Sequence, residues 1–374
     1  MDEIVCGKLP RRRAMSGVLS AAALFSPAAA SSQSHTKGEH LPSGRFVDIS
    51  VIGRANEAIW SQDGKYIVVL SDNGRWLSVL NGISGNLVAR RAIFKTFGVG
   101  QVLSMNTRSS VIVGNTYWPP RIGRWLCLEI NLENAEILSE IALSDRLPSK
   151  PEVLFEEMAI SPTDNRMCVL PRGGFASGSI YTFDREIVTP MQRVMSPDGR
   201  FFGQPEFIDD ERVACPHQRA NKDGNRYSIA ITTSMSMKPF THVNFRAEPG
   251  IIRLSHGGKF VFVGYKFNLT GNGQMDGLRE SDVYDVQTGE IVRTFLESPS
   301  QGVASWSVDS KFVATNLRSD DAMLAGMSLL NISSGEIRPL WYEFQGVLDN
   351  PQFSPSGKRL LWIAEGRVRV FSIA

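Results

Sequence analysis

Cysteine is scarce in this chain, with four in 374 residues. Cys6 lies near the N-terminus, and Cys127, Cys168 and Cys215 stand far apart in apolar stretches. No CxxC spacing exists, which argues against a cysteine metal site. The three read as small core residues, with one disulfide left open in an oxidising compartment. Histidine is nearly as rare, at five residues, and His35 and His40 sit in a polar N-terminal stretch. There is no HExxH pair, no GxSxG elbow and no P-loop. A zincin, an α/β-hydrolase and a P-loop nucleotide site are thereby excluded. Gly98-Val-Gly100 lacks the third glycine of a dinucleotide fingerprint. No catalytic residue, metal site or cofactor is expected.

An excess of one charge is also missing. The chain holds 40 Lys+Arg against 38 Asp+Glu. Residues 1–30 contain Lys8, Arg11, Arg12 and Arg13 against Asp2 and Glu3, so the remainder is neutral. A nucleic-acid binder normally carries a basic excess, so nucleic acid is not an expected partner. No like-charge run suggests a polybasic membrane patch. The apolar run at 15–26 (MSGVLSAAALFS) is too short, and too rich in Ala, Ser and Gly, to span a bilayer. No transmembrane segment is expected in the mature chain.

What is present at the N-terminus reads as a signal peptide. Arg11–Arg13 form a basic region, residues 15–26 a mild apolar region, and Ala28–Ala30 a small-residue cleavage site. The arginines followed by a mild apolar run resemble a bacterial twin-arginine signal. Asp2, Glu3 and Ala14-Met15 depart from that pattern, and the general secretory route stays open. The expected division is a signal peptide over 1–30, a linker over 31–43 and one folded domain over 44–374. The expected location is periplasmic or secreted, in a bacterium.

The 33 Gly and 19 Pro are spread as punctuation between β-rich runs. One unit recurs: an apolar anchor, a small residue, a polar turn, then a β-rich run. It reads WSQDGKYIVVL (60–70), LSMNTRSSVIV (103–113), ISPTDNRMCVL (160–170), FIDDERVAC (207–215), LSHGGKFVFV (254–263), WSVDSKFVAT (306–315) and FSPSGKRLLW (353–362). The anchors Trp60, Leu103, Ile160, Phe207, Leu254, Trp306 and Phe353 are spaced mostly 43 to 52 residues apart, with one interval of 57. A period of that length with several strands per unit means a β-propeller. A β-helix repeats faster, and a sandwich would not repeat seven times. A second turn closes most units: NGISGN (81–86), NLENAE (131–136), DVQTGE (285–290) and NISSGE (331–336). Trp60 and Trp306 could form an aromatic platform, but at the anchor position they read as core.

FSPSGK (353–358) and MSPDGR (195–200) resemble the repeat of WD40-like propellers of the TolB type. The resemblance covers residues 44–374 and implies fold rather than function. The α/β domain of TolB has no counterpart here, and the Trp-Asp and Gly-His pairs of eukaryotic WD40 repeats are missing. The expected fold class is all-β, a seven-bladed propeller. Residues 351–374 supply only three strands, so RFVDISVIG (45–53) is expected to complete the last blade and close the ring.

In such a ring the first and third turns of each blade share one face. The middle connections of blades two to six look long: 115–124, 171–179, 216–227, 265–280 and 316–326. They carry Trp118, Arg121, Arg124, Arg172, Phe175, His217, Arg219, Arg226, Lys266, Phe267 and Arg318, with Arg172, His217, Arg219 and Arg318 expected near the centre. Arginine and aromatics are enriched at binding hot spots, so the expected partner is an acidic protein patch or an anionic small molecule. Residues 268–282 and Asp320–Asp321 are oxygen-rich but lack the spacing of a calcium loop, and read as solvated. Three functions fit: a periplasmic binding or scaffolding protein, the non-catalytic propeller subunit of an amine-dehydrogenase-like oxidoreductase, or a propeller lactonase or lyase. The missing motifs favour the first; fold alone does not choose.

Overall fold

The computed structural model describes residues 46–49, 53–93, 100–104, 109–115, 126–142, 154–172, 179–185, 192–195, 199–221, 224–233, 241–269, 275–277, 280–296, 300–318, 324–344 and 348–373. They form seven antiparallel blade sheets in a ring and one separate two-stranded sheet. β1 (Phe46–Ile49) is first in the chain but belongs to the last blade. Blade one holds β2 (Ala55–Trp60), β3 (Tyr66–Ser71), β4 (Trp76–Asn81) and β5 (Leu87–Ala92). Blade two holds β6 (Gly100–Ser104), β7 (Ser110–Asn115), β8 (Leu126–Asn131) and β9 (Ile137–Ala142). Blade three holds β10 (Leu154–Ile160), β11 (Arg166–Arg172), β12 (Ser179–Asp184) and β13 (Gln192–Met195). Blade four has its inner strand in two pieces, β14 (Arg200–Phe201) and β15 (Glu206–Phe207), followed by β16 (Arg212–Asn221), β17 (Gly224–Thr233) and β18 (Thr241–Asn244). Blade five holds β19 (Pro249–Leu254) and β20 (Phe260–Tyr265); a separate hairpin of β21 (Phe267–Leu269) and β22 (Met275–Gly277) then precedes β23 (Ser281–Asp285) and β24 (Ile291–Phe295). Blade six holds β25 (Ser300–Trp306), β26 (Phe312–Arg318), β27 (Leu324–Asn331) and β28 (Ile337–Phe344). Blade seven holds β29 (Leu348–Phe353), β30 (Arg359–Ala364) and β31 (Arg367–Ser372).

The repeat has a local cause. The small residue after the anchor is Ser61, Ser161, Ser255, Ser307 or Ser354, and all five are buried. Each serine oxygen accepts the amide that opens the second strand: Tyr66 at 3.0 Å, Arg166 at 3.1, Phe260 at 2.9, Phe312 at 2.9 and Arg359 at 3.1. A buried amide at the turn is thus satisfied by a side chain. The third turn uses a different device. Asn81, Asn131, Asp285 and Asn331 accept amides two or three residues on, through their side-chain oxygens. These Asx turns end in a positive φ, at Gly85, Ala135, Gly289 and Gly335.

The anchors occupy one register position: Trp60, Ile160, Leu254, Trp306 and Phe353 pair with Ile67, Met167, Val261, Val313 and Leu360. Blade two differs from the sequence reading. There Ser104, pairing with Val111, holds the anchor position, one residue beyond Leu103. Trp60 and Trp306 are core residues; Trp306 stacks on Phe260 and its Nε1 donates to the Arg253 carbonyl at 3.0 Å.

Second and third strands are apolar almost throughout because neighbouring blades cover both faces, as in Ile67–Leu70 and Leu360–Ala364. Arginines stitch blade to blade beside the turns. Arg359 donates to the Gly82 carbonyl, Arg166 to that of Asp210, and Arg293 to those of Ile332 and Ser333. A buried pair, Arg185 with Glu129 at 3.2 Å, joins blades three and two. The ring closes as expected: β1 pairs with β31 from Phe46–Phe371 to Ile49–Val368. Ile49 is buried in a cluster with Trp60, Ile67, Leu361 and Val368, which fuses blades seven and one.

Candidate functional site

The first and third turns of each blade are bonded together, as Gly82 N to Lys65 O, Val286 N to Lys259 O and Ile332 N to Lys311 O show. That face carries tight turns. The middle connections leave from the opposite face. In blades one and seven they are short, running through Asp72, Asn73 and Gly74 and through Glu365 and Gly366, all at positive φ.

Of the expected contact residues, Trp118, Arg121, Arg124 and Phe175 lie outside the described residues, as do Asp320 and Asp321. The backbone places Arg172 at the end of β11, Arg318 at the end of β26 and Phe267 at the start of β21. Lys266 is exposed and ion-paired with Glu248. Two expectations need correction. Residues 216–221 and 224–227 are not irregular loop but β-hairpin strands, with pairing continuous from Arg212–Thr233 to Asn221–Gly224. His217 is therefore a strand residue with no exposed surface, packed edge-on against Phe201 at 5.4 Å. Gly199 lies against its imidazole so closely that a Cβ there would come within 2.7 Å. Residues 265–280 likewise contain a hairpin, β21 with β22.

The blade-four hairpin outgrows its sheet. β16 and β17 have ten residues each. β14 stops pairing at Gln218, and β18 pairs no farther than Ser228. Among the described residues, 219–221 and 224–226 thus have only each other as strand partners. At about 3.4 Å per residue this ribbon stands about 10 Å beyond the blade. Arg219 is directly opposite Arg226, which is exposed. At the base Arg200 Nε donates to Gln218 Oε1 at 2.7 Å.

The sequence reading missed a second group, on the inner strands. Glu57 of β2 accepts the Val102 amide of blade two at 2.9 Å, and Glu206 of β15 accepts the Leu254 amide of blade five at 3.1 Å. Both glutamates are half-buried. Burial pushes Glu57 up to about 8; the Val102 bond opposes this and the nearby Glu157 adds to it. Burial pushes Glu206 up to about 7 against the pull of Arg253 and the Leu254 bond. The signal was available in the repeats: Glu57 and Glu157 occupy the same register position, opposite Leu70 and Leu170, and Gln101 sits there in blade two.

A third polar cluster is structural. Asp282, expected in a solvated loop, is fully buried in β23. It accepts Arg246 Nε at 2.7 Å, Tyr265 Oη at 2.6 Å and Thr294 Oγ1 at 2.7 Å. This ties the segment between blades four and five to three strands of blade five. Cys127, Cys168 and Cys215 are buried free thiols, and burial raises Cys168 and Cys215 well above the usual thiol range. Among the described residues no group of three His, Cys, Asp or Glu is placed to hold a metal ion, and no helix is long and apolar enough to cross a membrane.

No family model matches this chain, and no curated protein does. Among solved structures it is similar to the β-propeller domain of Cps50 (Swd1) from Myceliophteria thermophila, at 9% identity and a TM-score of 0.64 over 88% of this chain and 98% of that one. At that identity the likeness concerns the fold alone: this chain is an all-β, seven-bladed β-propeller of WD40-like architecture.

Proposed function

We propose that this chain is an exported binding or scaffolding propeller that recognises an acidic protein surface in the periplasm through its middle-connection face. The blade-four ribbon carries the reading. The ribbon stands beyond its sheet and sets Arg219 and Arg226 side by side. Two guanidinium groups so placed suit charge-assisted hydrogen bonds to the carboxylates of an acidic partner. Arg172 and Arg318 end the second strands of blades three and six, and Lys266 and Phe267 follow that of blade five, so they extend the face. Rigid scaffolds commonly place recognition on such protruding connections.

The test is capture of partners from the native envelope fraction, identified by mass spectrometry. Arg219→Ala with Arg226→Ala is expected to reduce capture about tenfold or more and leave the melting temperature unchanged. Adding Trp118→Ala and Arg172→Ala deepens the loss. Full capture by these variants, with loss on reversing Lys65, Lys259 and Lys311 on the opposite face, would overturn the proposal.

A further inference from the structure

We propose that the third turn of blade one is the centre of a two-fold contact with a second copy of this chain, in which Ile83 packs on Ile83 of the other copy. The sister turns show what is unusual here. In blades two, five and six the second turn position is apolar and buried, as Leu132, Val286 and Ile332. The third position is polar and exposed, as Glu133, Gln287 and Ser333. Blade one reverses the order, with Gly82 second and Ile83 third. All four turns make the same bond. Ile83 N donates to Asn81 Oδ1 at 2.9 Å, as Glu133, Gln287 and Ser333 donate to Asn131, Asp285 and Asn331. The turn itself does not call for isoleucine at that place, yet Ile83 stands in water, 79% exposed.

The glycine has a cause within the fold and the isoleucine has none. Gly82 N bonds to Lys65 O at 2.6 Å, against 2.9 Å for Leu132, Val286 and Ile332 with Ser109, Lys259 and Lys311. At that approach a Cβ on residue 82 would stand 2.3 Å from the Gly64 carbonyl oxygen. Leu87 and Val88 follow in β5 and are 50% and 43% exposed. The three aliphatic side chains lie within six residues and form one apolar knob at the rim of the tight-turn face. A cluster of this kind, rimmed by polar residues, marks a contact surface, where a single exposed aliphatic would not.

The charges around the knob select the occupant. On the blade-seven side Lys358 is exposed, next to Arg359, whose guanidinium holds the Gly82 carbonyl at 2.7 Å. On the blade-two side Glu133 and Glu136 are exposed, in the turn whose Ala135 carbonyl takes Arg91 of β5. With one flank basic and the other acidic, the knob is complementary to itself. A two-fold axis through Ile83, along the radius of the ring, lays the basic flank of each copy over the acidic flank of the other. Asn86 agrees with this arrangement: the sister turns carry Glu136, Glu290 and Glu336 at its place, and a carboxylate so near the axis would face its own image. An anionic lipid surface would meet Glu133 and Glu136 and be repelled. A contact of ordinary size covers roughly 800 Å² of each copy, so both flanks lie within it.

The experiment is sedimentation velocity of the full chain from about 1 to 100 µM, where wild type is expected to pass from monomer to dimer. Ile83→Glu puts in blade one the residue that blade two already carries at Glu133, so the turn is kept. It is expected to weaken the dimer on the order of a hundredfold, and so to stay monomeric with an unchanged circular dichroism spectrum. Ile291→Glu, at an equally apolar start of the outer strand in blade five, is expected to dimerise as wild type does. Lys358→Glu alone, or Glu133→Lys with Glu136→Lys, is expected to weaken the dimer about tenfold, and all three together to restore it. Wild type that is monomeric throughout overturns the proposal, and so does a dimer that Ile83→Glu leaves intact. Monomeric wild type that sediments with phosphatidylglycerol vesicles through Ile83 assigns the knob to lipid and overturns it equally. A dimer lost in Ile83→Glu but not restored by the combined reversal overturns the two-fold arrangement. The ribbon lies on the opposite face, so Arg219→Ala with Arg226→Ala leaves the dimer unchanged, and the two proposals fail separately.

Discussion

Gly85 shows how one residue supports two blades. It closes the third turn of blade one at φ 72°, a conformation that costs a side-chain-bearing residue about 1–2 kcal/mol. A Cβ there would also stand 3.2 Å from Cγ1 of Ile49, the buried end of the closing strand. Gly85→Ala is therefore expected to destabilise the ring by about 1–2 kcal/mol, read as a lower urea midpoint at unchanged slope. Ala135 holds the equivalent place in blade two at φ 58°, so the turn tolerates a methyl group when nothing crowds it. An equal effect from Gly289→Ala, whose added Cβ meets nothing within 4 Å, would show that backbone strain alone sets the cost. A larger effect at Gly85 would show the contact with Ile49.

At the level of elements, β1 and the blade-four ribbon pose opposite questions. β1 contributes only four paired residues, yet it supplies the outer strand of blade seven and inserts Ile49 into the seam with blade one. Deleting residues 44–53 exposes the β31 edge and opens the ring where its two ends meet. The expected outcome is a large drop in the thermal midpoint for the whole molecule; an unchanged midpoint would show that β30 and β31 close the ring unaided. The ribbon lies outside the packed sheet, so its arginines are expected to affect capture and not melting. Long second connections were legible from the lengths of chain between β-rich runs. Their regular β-structure in blades four and five was not, because 216–227 and 265–280 are polar, and polar ribbons lack the apolar alternation by which strands are recognised.

At the scale of the whole molecule, the proposal of export through residues 1–30 carries its own expectation. Protein from the native host is expected to begin at or near Ser31, and N-terminal sequencing checks this; intact Met1 on cytosolic protein would refute export. Arg12→Lys with Arg13→Lys separates the routes, since the twin-arginine route stalls and the general secretory route continues. Buried free thiols at Cys127, Cys168 and Cys215 suit either route, because none relies on a cross-link for its place in the core.

By itself the sequence determined the number of blades, the tight-turn face and the strand that closes the ring. Each of these rests on local chemistry repeated around the ring or on counting strands: Ser61 and its four equivalents cap first turns, and Asn81 and its three equivalents shape third turns. Only the tertiary structure decided which polar side chains meet. Glu57 reaches Val102 across 45 residues, Asp282 gathers Arg246 from 36 residues away, and His217 is sealed beneath Phe201 and Gly199. These partners lie in different strands or different blades, and the pairing depends on how strands twist and bulge rather than on neighbours in the chain. Burial then sets the chemistry, raising a glutamate that would be an ordinary surface acid in water to a group that titrates near 8.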